Sequence, residues 1–381
     1  MKRIFLTSCL IISMILSLAA QEKKPGYNPE DYPDVLKEKD FEKAANVDKI
    51  YGFINWNYQS KDMTQLSLKF LALQAFDDRT IWPSKEKQPE GFQPDQWLET
   101  GKEPGLKVRA LHQKGIRGKG ISVAVFDKLI NPDHQEFSGR IVYHEIKSPL
   151  AEDFQYRLHF HGISCASIPC GKTLGIAPQA TLHYFAVPDD GNNSYNYCLA
   201  LEELLEVNAK LPKEKKIRAV SISDGISRQN PDIYKKWEAL VHKAQEDGVA
   251  VIYSDLKTTH AVFTWGGCPP FRDRENPENY DYSSWPRNSD EKHSEKIILP
   301  ADFRTTAHNR EENAYVYWGE GGFSWAIPYF VGLAVLAWSL DEELTIEEIC
   351  RLIKETKTKT FDGRYVVNPL GFIEAVKKLQ E

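Results

Sequence analysis

The sequence predicts an α/β fold, a mostly parallel central sheet with helices on both faces, preceded by an N-terminal extension. Three observations predict it. Ile121 to Phe126, Thr181 to Val187, Ala219 to Ser223 and Val249 to Tyr253 are short, nearly unbroken apolar runs, the pattern of strands buried on both faces. Helical stretches lie between them: Gly162 to Ile168, Tyr197 to Ala209 and Ile233 to Gln245. Strand and helix therefore alternate along the chain, which builds a parallel sheet through crossover connections.

Taken from the start, Lys2 and Arg3 precede an apolar run from Ile4 to Leu18, followed by Ala19, Ala20 and polar residues. A basic start, a short apolar middle and small residues at the end predict a signal peptide over residues 1–20. The run is shorter than the ~20 residues that span a bilayer, so no stable membrane anchor is expected and the location is secreted or periplasmic. Removing it takes the net charge from −6 to −8. An acidic chain without a basic tract has no general attraction for nucleic acid.

Residues 21–104 form the extension. Gln21 to about Lys49 is charged and turn-rich, an extended arm; Ile50 to Phe76 is a packed element; residues 77–105 scatter prolines and glycines among charges and connect it to the rest. The main domain, 105–381, opens with a helix at Val108 to Lys114, a glycine-punctuated turn, and the strand that ends in Asp127. Residues 271–295, charged and poor in aliphatics, are expected as a surface loop beside the sheet. Trp325 to Leu340 is too short for a membrane span and contains Pro328 and Gly332, so it reads as a buried core helix. Thr345 with Glu348 makes a capping box, Asp362-Gly363 a hairpin turn, and Asn368-Pro369 the start of a terminal helix. Five cysteines follow the signal stretch, an odd number without zinc-ligand spacing. Cys165 and Cys350 lie in apolar helical patterns as small buried hydrophobes.

Three segments carry chemistry. Asp127 closes an apolar strand, where ligands of open α/β sheets bind; alone it is equally a helix cap or turn residue. His161 sits with Gly162 at the start of an apolar helix, and Gly162 would let other backbone approach closely. Gly321-Gly322-Phe323-Ser324 leads into a long apolar helix, which exposes the Ser324 hydroxyl at its rim and aims its N–H at a developing oxyanion; alone Ser324 is equally an N-cap. Pro328 is expected in the first turn, where an N–H has no helical acceptor. The order Asp, His, Ser, in steps of 34 and then 163 along the chain, is that of subtilisin and not of chymotrypsin or α/β-hydrolases.

With these segments the chain resembles the subtilisin-like (subtilase) serine peptidases over roughly residues 105–381. Gly115 to Gly120 with the strand to Asp127, His161-Gly162 with Gly175 to Ala180, and Gly322-Phe323-Ser324-Trp325-Ala326-Ile327-Pro328 resemble that family's three catalytic segments. It looks closest to a bacterial branch with Gly-Gly-x-Ser-Trp at the nucleophile, which it also resembles at Phe76 to Pro83 and Gly101 to Leu106. The resemblance implies a subtilisin-like three-layer sandwich and a secreted serine endopeptidase acting on polypeptides through an acyl-enzyme. In it Ser324 is nucleophile, His161 is base and Asp127 orients the imidazole. Ser223, Asp224 and Gly225 match the edge that pairs with substrate backbone, and Asp224 is expected to favour basic substrate residues. The family's oxyanion asparagine is replaced by Asp255, leaving Ser254, Thr258 and Thr259 as candidate donors. That departure, Lys128 after Asp127, and Trp325 in place of Met keep open an alternative, a catalytically weak or inactive subtilase-fold binding module. An esterase would need a Gly-x-Ser-x-Gly elbow. No cofactor and no metal are expected, no acidic loop having Ca²⁺ spacing.

Overall fold

The computed structural model describes residues 24–150, 158–255, 259–283 and 295–381. The expected signal stretch 1–20 and the candidate donor Thr258 lie outside the described residues. In chain order the helices are α1 (Asn46–Tyr51), α2 (Leu68–Ala72), α3 (Pro94–Gly101), α4 (Val108–Gln113), α5 (Phe160–Cys170), α6 (Asn193–Lys210), α7 (Pro231–Glu246), α8 (Thr259–Val262), α9 (Phe323–Trp338), α10 (Ile346–Thr356) and α11 (Pro369–Lys378). The strands are β1 (Phe76–Asp77), β2 (Ser122–Asp127), β3 (Ile141–Glu145), β4 (Thr181–Ala186), β5 (Ile217–Ile222), β6 (Ala250–Tyr253), β7 (Phe263–Gly267), β8 (Asp281–Tyr282), β9 (Ile297–Pro300), β10 (Arg304–Ala307), β11 (Tyr315–Trp318), β12 (Thr358–Lys359) and β13 (Tyr365–Val366).

The expected central sheet is present, with strand order β3-β4-β2-β5-β6 and every pairing parallel. β2 divides two cores through the period-2 alternation of its side chains. Val123 and Val125 join the core built around α5 and α9, while Ala124 and Phe126 join the core that holds Leu201, Leu204 and Trp237 of α6 and α7. Helices thus cover both faces, which is why these strands read as unbroken apolar runs. Every residue of α9 is buried except Ser324, as befits a helix apolar all round. Among the described residues, no helix is long and apolar enough to cross a membrane.

The Thr345–Glu348 capping box, the β12–β13 hairpin and the Asn368-capped α11 appear where expected. Two expectations are corrected. The segment before Lys49 is not an extended arm, because Tyr27, Leu36 and Phe41 are spaced through its charges and are buried in the main core. Residues 271–283 are not merely a surface loop: Tyr280 is fully buried and β8 pairs with β7. The extension also contributes β1, which adds to β11 in the antiparallel sheet β1-β11-β10, and α3, whose Leu98 carbonyl accepts the Thr305 hydroxyl at 2.6 Å.

Candidate functional site

The carboxyl ends of β2, β5 and β6 and the first turns of α5 and α9 converge at one edge of the central sheet. β2 ends in Asp127, which is 2% exposed. Its carboxylate takes His161 Nδ1–H at 2.9 Å from Oδ1 and 2.8 Å from Oδ2, and Oδ1 also accepts the Lys128 N–H at 2.8 Å. His161 is presented by the first turn of α5, which His159 caps by accepting the His161 N–H at 3.1 Å. Burial pushes His159 down to about 4, so its ring is neutral and free to accept that bond. Gly162 has the role expected of it: a β-carbon there would run into the Tyr184 hydroxyl and the Lys128 carbonyl, which themselves hydrogen-bond.

Burial alone would lower the His161 pKa, but the Asp127 carboxylate against Nδ1 outweighs it and holds the imidazole well above its ordinary value. Asp127 is the mirror case. Burial would raise it, yet the imidazolium charge, the bond from His161 and the Lys128 ammonium carry it below the ordinary carboxylate value. Nδ1 is committed to the carboxylate, so Nε2 is the nitrogen left to handle a proton.

Ser324 lies in the first turn of α9, beyond Gly321 and Gly322. A β-carbon at Gly321 would collide with the Ala301 carbonyl and the Trp325 ring, and Gly322 adopts a φ of 64° that favours glycine. Ser324 Oγ donates to the Ser223 carbonyl at 3.2 Å, and Ser223 Oγ donates back to the Ser324 carbonyl at 2.5 Å. Pro328 explains the second bond. The helix begins at Phe323, so Pro328 lies deeper than the first turn and lacks the N–H that would have bonded the Ser324 carbonyl. Ser223 Oγ takes that released acceptor, with the Cys165 thiol 3.6 Å away as a second donor.

Cys165 is where the sequence reading fell short. It is buried as expected, but its Sγ also lies 3.7 Å from His161 Nδ1 and so links the His161 and Ser324 helices. The signal was its position, one helical turn after His161 on the same face. Asp127, His161 and Cys165 also form a group whose ligand atoms lie within 4.8 Å of one another. Burial pushes the Cys165 thiol up, leaving a protonated sulfur that is a poor metal ligand.

The remaining candidates sit around this centre. Asp224 Oδ2 accepts from Asn193 and Tyr197, each at 3.3 Å, and Oδ1 accepts the Gly225 N–H at 2.8 Å. Lys128 Nζ lies 3.6 Å from Asp189, and although burial opposes its charge, Asp127, Asp189 and Asp224 together hold its pKa above the ordinary value. Asp255 lies two residues past β6, its N–H bonded to Thr259 Oγ1 at 3.2 Å. The Thr259 hydroxyl donates to the Tyr253 carbonyl at 2.7 Å, so this candidate donor is turned into its own loop.

The model of the Subtilase family matches residues 118–255, a stretch that contains Asp127, His161, Ser223 and Asp255. Over that stretch the chain is similar to the subtilase family. Ser324 lies beyond the matched stretch and is brought to it by the fold. The chain is 29% identical over 138 residues to "Subtilisin-like protease 2" of Trichophyton equinum, which covers 35% of the chain and 30% of the relative. It is 26% identical over 253 residues to the "Cuticle-degrading protease" of Metarhizium anisopliae, covering 64% of the chain and 60% of the relative. The chain therefore spans less than two thirds of the length of either. Among solved structures, the subtilase cytotoxin SubAB assembly superposes with a TM-score of 0.53 at 16% identity, over 74% of this chain and 97% of that one. The prenylagaramide maturation protease PagA gives 0.50 at 19%, over 72% and 99%. These two likenesses show a common fold.

Proposed function

We propose that this chain is an exported serine endopeptidase in which Ser324 attacks the peptide carbonyl, His161 takes and returns the proton through Nε2, and Asp127 orients the ring and stabilises the imidazolium. The observation that carries the reading is the Asp127–His161 pair at 2.8 and 2.9 Å on the same sheet edge as the glycine-led turn of Ser324. The oxyanion of the tetrahedral intermediate is met by the Ser324 N–H, which as a first-turn donor has no helical acceptor. Asp255 stands where a neutral donor would serve better, and losing one such donor costs ~2.7–4 kcal/mol in the transition state. The enzyme is therefore a slow peptidase.

The signal-like stretch at residues 1–20 supports export, and residues 24–104 stay with the mature body because they share its core. Ser223, Asp224 and Gly225 align substrate backbone, and Asp224 favours basic substrate residues; an unchanged peptide-library profile in Asp224→Ala would remove that role. The deciding experiment is fluorophosphonate labelling. Label is expected on Ser324 in the wild type and none in Ser324→Ala. An unlabelled wild type, under conditions that label another subtilase, refutes the peptidase reading in favour of a binding module.

A further inference from the structure

A group of basic and phenolic side chains at the start of β10 has no part in the proposed chemistry. Arg304 is 0% exposed, and its Nε, Nη1 and Nη2 have no hydrogen-bond partner. Arg274 is 4% exposed and bonds through Nη1, to the carbonyls of Phe303 at 2.7 Å and Thr100 at 3.2 Å. Its Nε and Nη2 have no partner. The Phe303 carbonyl belongs to the peptide link that leads into Arg304, so the Arg274 guanidinium is bonded beside the Arg304 backbone, and its charge acts on Arg304. Tyr329 of α9 lies beneath, its ring 5.6 Å from Arg304 Cζ, fully buried and with an unpartnered hydroxyl. Tyr280, also fully buried, donates to the Arg274 carbonyl at 2.9 Å.

This is an interior made of donors. An isolated buried guanidinium is strongly disfavoured, and two of like sign more so. Among the described residues no carboxylate pairs with either one: the groups that Arg274 does reach are neutral carbonyls. Burial and the Arg274 charge lower Arg304 to about 10, which leaves it charged at neutral pH. Water could occupy some of the donors, but it would not offset two positive charges. What fits is an anion small enough to be enclosed completely and able to accept from several directions.

We propose that Arg274, Arg304 and Tyr329 hold a buried, small monovalent anion of the chloride class, bridging the 268–280 segment, β10 and the Ser324-bearing helix α9. Full-length protein exchanged into sodium gluconate is titrated with sodium chloride or bromide at constant ionic strength while Tm is followed. The expected result is a saturable halide-specific rise of about 4 °C, as binding to the folded state alone produces. Crystals grown in bromide show an anomalous peak touching both guanidinium groups. Arg304→Met removes the peak and the halide dependence together. Tyr329→Phe, which loses one donor and keeps the ring, shifts the titration midpoint to higher halide and serves if Arg304→Met does not fold. Equal Tm in gluconate and chloride, or bromide crystals without a peak at Arg304, overturns the proposal and assigns the donors to water.

Discussion

Substituting Ser223 by Ala removes the hydroxyl that donates at 2.5 Å to the Ser324 carbonyl, and the cost depends on Pro328. With Pro328 in place no helical N–H can serve that carbonyl, and the alternative donor is the Cys165 thiol at 3.6 Å, a weak one. Leaving a largely buried carbonyl unsatisfied costs about 1–3 kcal/mol. The site is part-buried, so the lower half of that range applies and Ser223→Ala is expected to destabilise by about 1–1.5 kcal/mol. Pro328→Ala restores an N–H one turn after Ser324, so the hydroxyl becomes redundant. In a Pro328→Ala background, Ser223→Ala is expected to cost under about 0.5 kcal/mol, giving a coupling near 1 kcal/mol, outside the additivity of independent sites. Urea unfolding of the four proteins in the cycle measures it, and labelling rates at Ser324 report whether the Ser324 turn loosens in step. Additive effects of the two substitutions would refute the account of Pro328 as the cause of this bond.

The ion pair predicts a pH dependence with a definite sign. His161 is raised, so its share of the stability is complete below an unfolded value of ~6.5 and is lost as pH climbs through the higher folded value; Asp127 is lowered, so its share is complete above ~3.9 and is lost as pH falls through the folded value. Because a base must be neutral, the rate of Ser324 labelling should rise with pH on the alkaline side of ~6.5, and Asp127→Asn should move that rise to lower pH; an unmoved limb contradicts the assignment. Gly162→Ala drives a methyl into the Tyr184 hydroxyl and the Lys128 carbonyl and is expected to cost about 1–3 kcal/mol in chemical denaturation, with Tyr184→Phe relieving part of it. Buried Glu136 accepts from the Thr173 N–H at 2.8 Å, the Leu174 N–H at 3.1 Å, the Tyr315 hydroxyl at 2.7 Å and the Thr173 hydroxyl. Glu136→Gln turns an NH₂ toward these donors and is expected to cost about 2–3 kcal/mol, read as a lowered denaturation midpoint.

The central sheet was legible because strands buried on both faces must be apolar at every position, as Val123 to Phe126 are. The outer sheets were not. β10 reads Arg-Thr-Thr-Ala and yet is wholly buried, and its two threonines find partners only in the folded chain, Thr305 on the Leu98 carbonyl and Thr306 accepting the Trp318 indole N–H at 2.9 Å. β1 is two residues long and exists through its pairing with β11. In the site, Asp127 and His161 could be found from order and spacing, since chain topology alone fixes which strand end and helix start meet. Cys165 and the Ser223–Ser324 exchange depend on side-chain direction and on where α9 begins, and a sequence locates a helix start only to within a residue or two.

The Tyr317 hydroxyl donates to the Ala72 carbonyl across 245 positions, and Phe76 stacks on the Tyr317 ring at 4.6 Å. A ribosome delivers these partners in a fixed order. The first hundred residues emerge long before β11 exists to receive them, and closing so long a loop is slow compared with forming the local helices. The growing chain must therefore keep Phe53, Tyr58, Phe76 and Trp97, all fully or nearly fully buried at the end, out of wrong associations until Tyr315–Trp318 has been made. Ser324 follows six residues later, so this serine is put in place by the same late event that seals the N-terminal segment into the body.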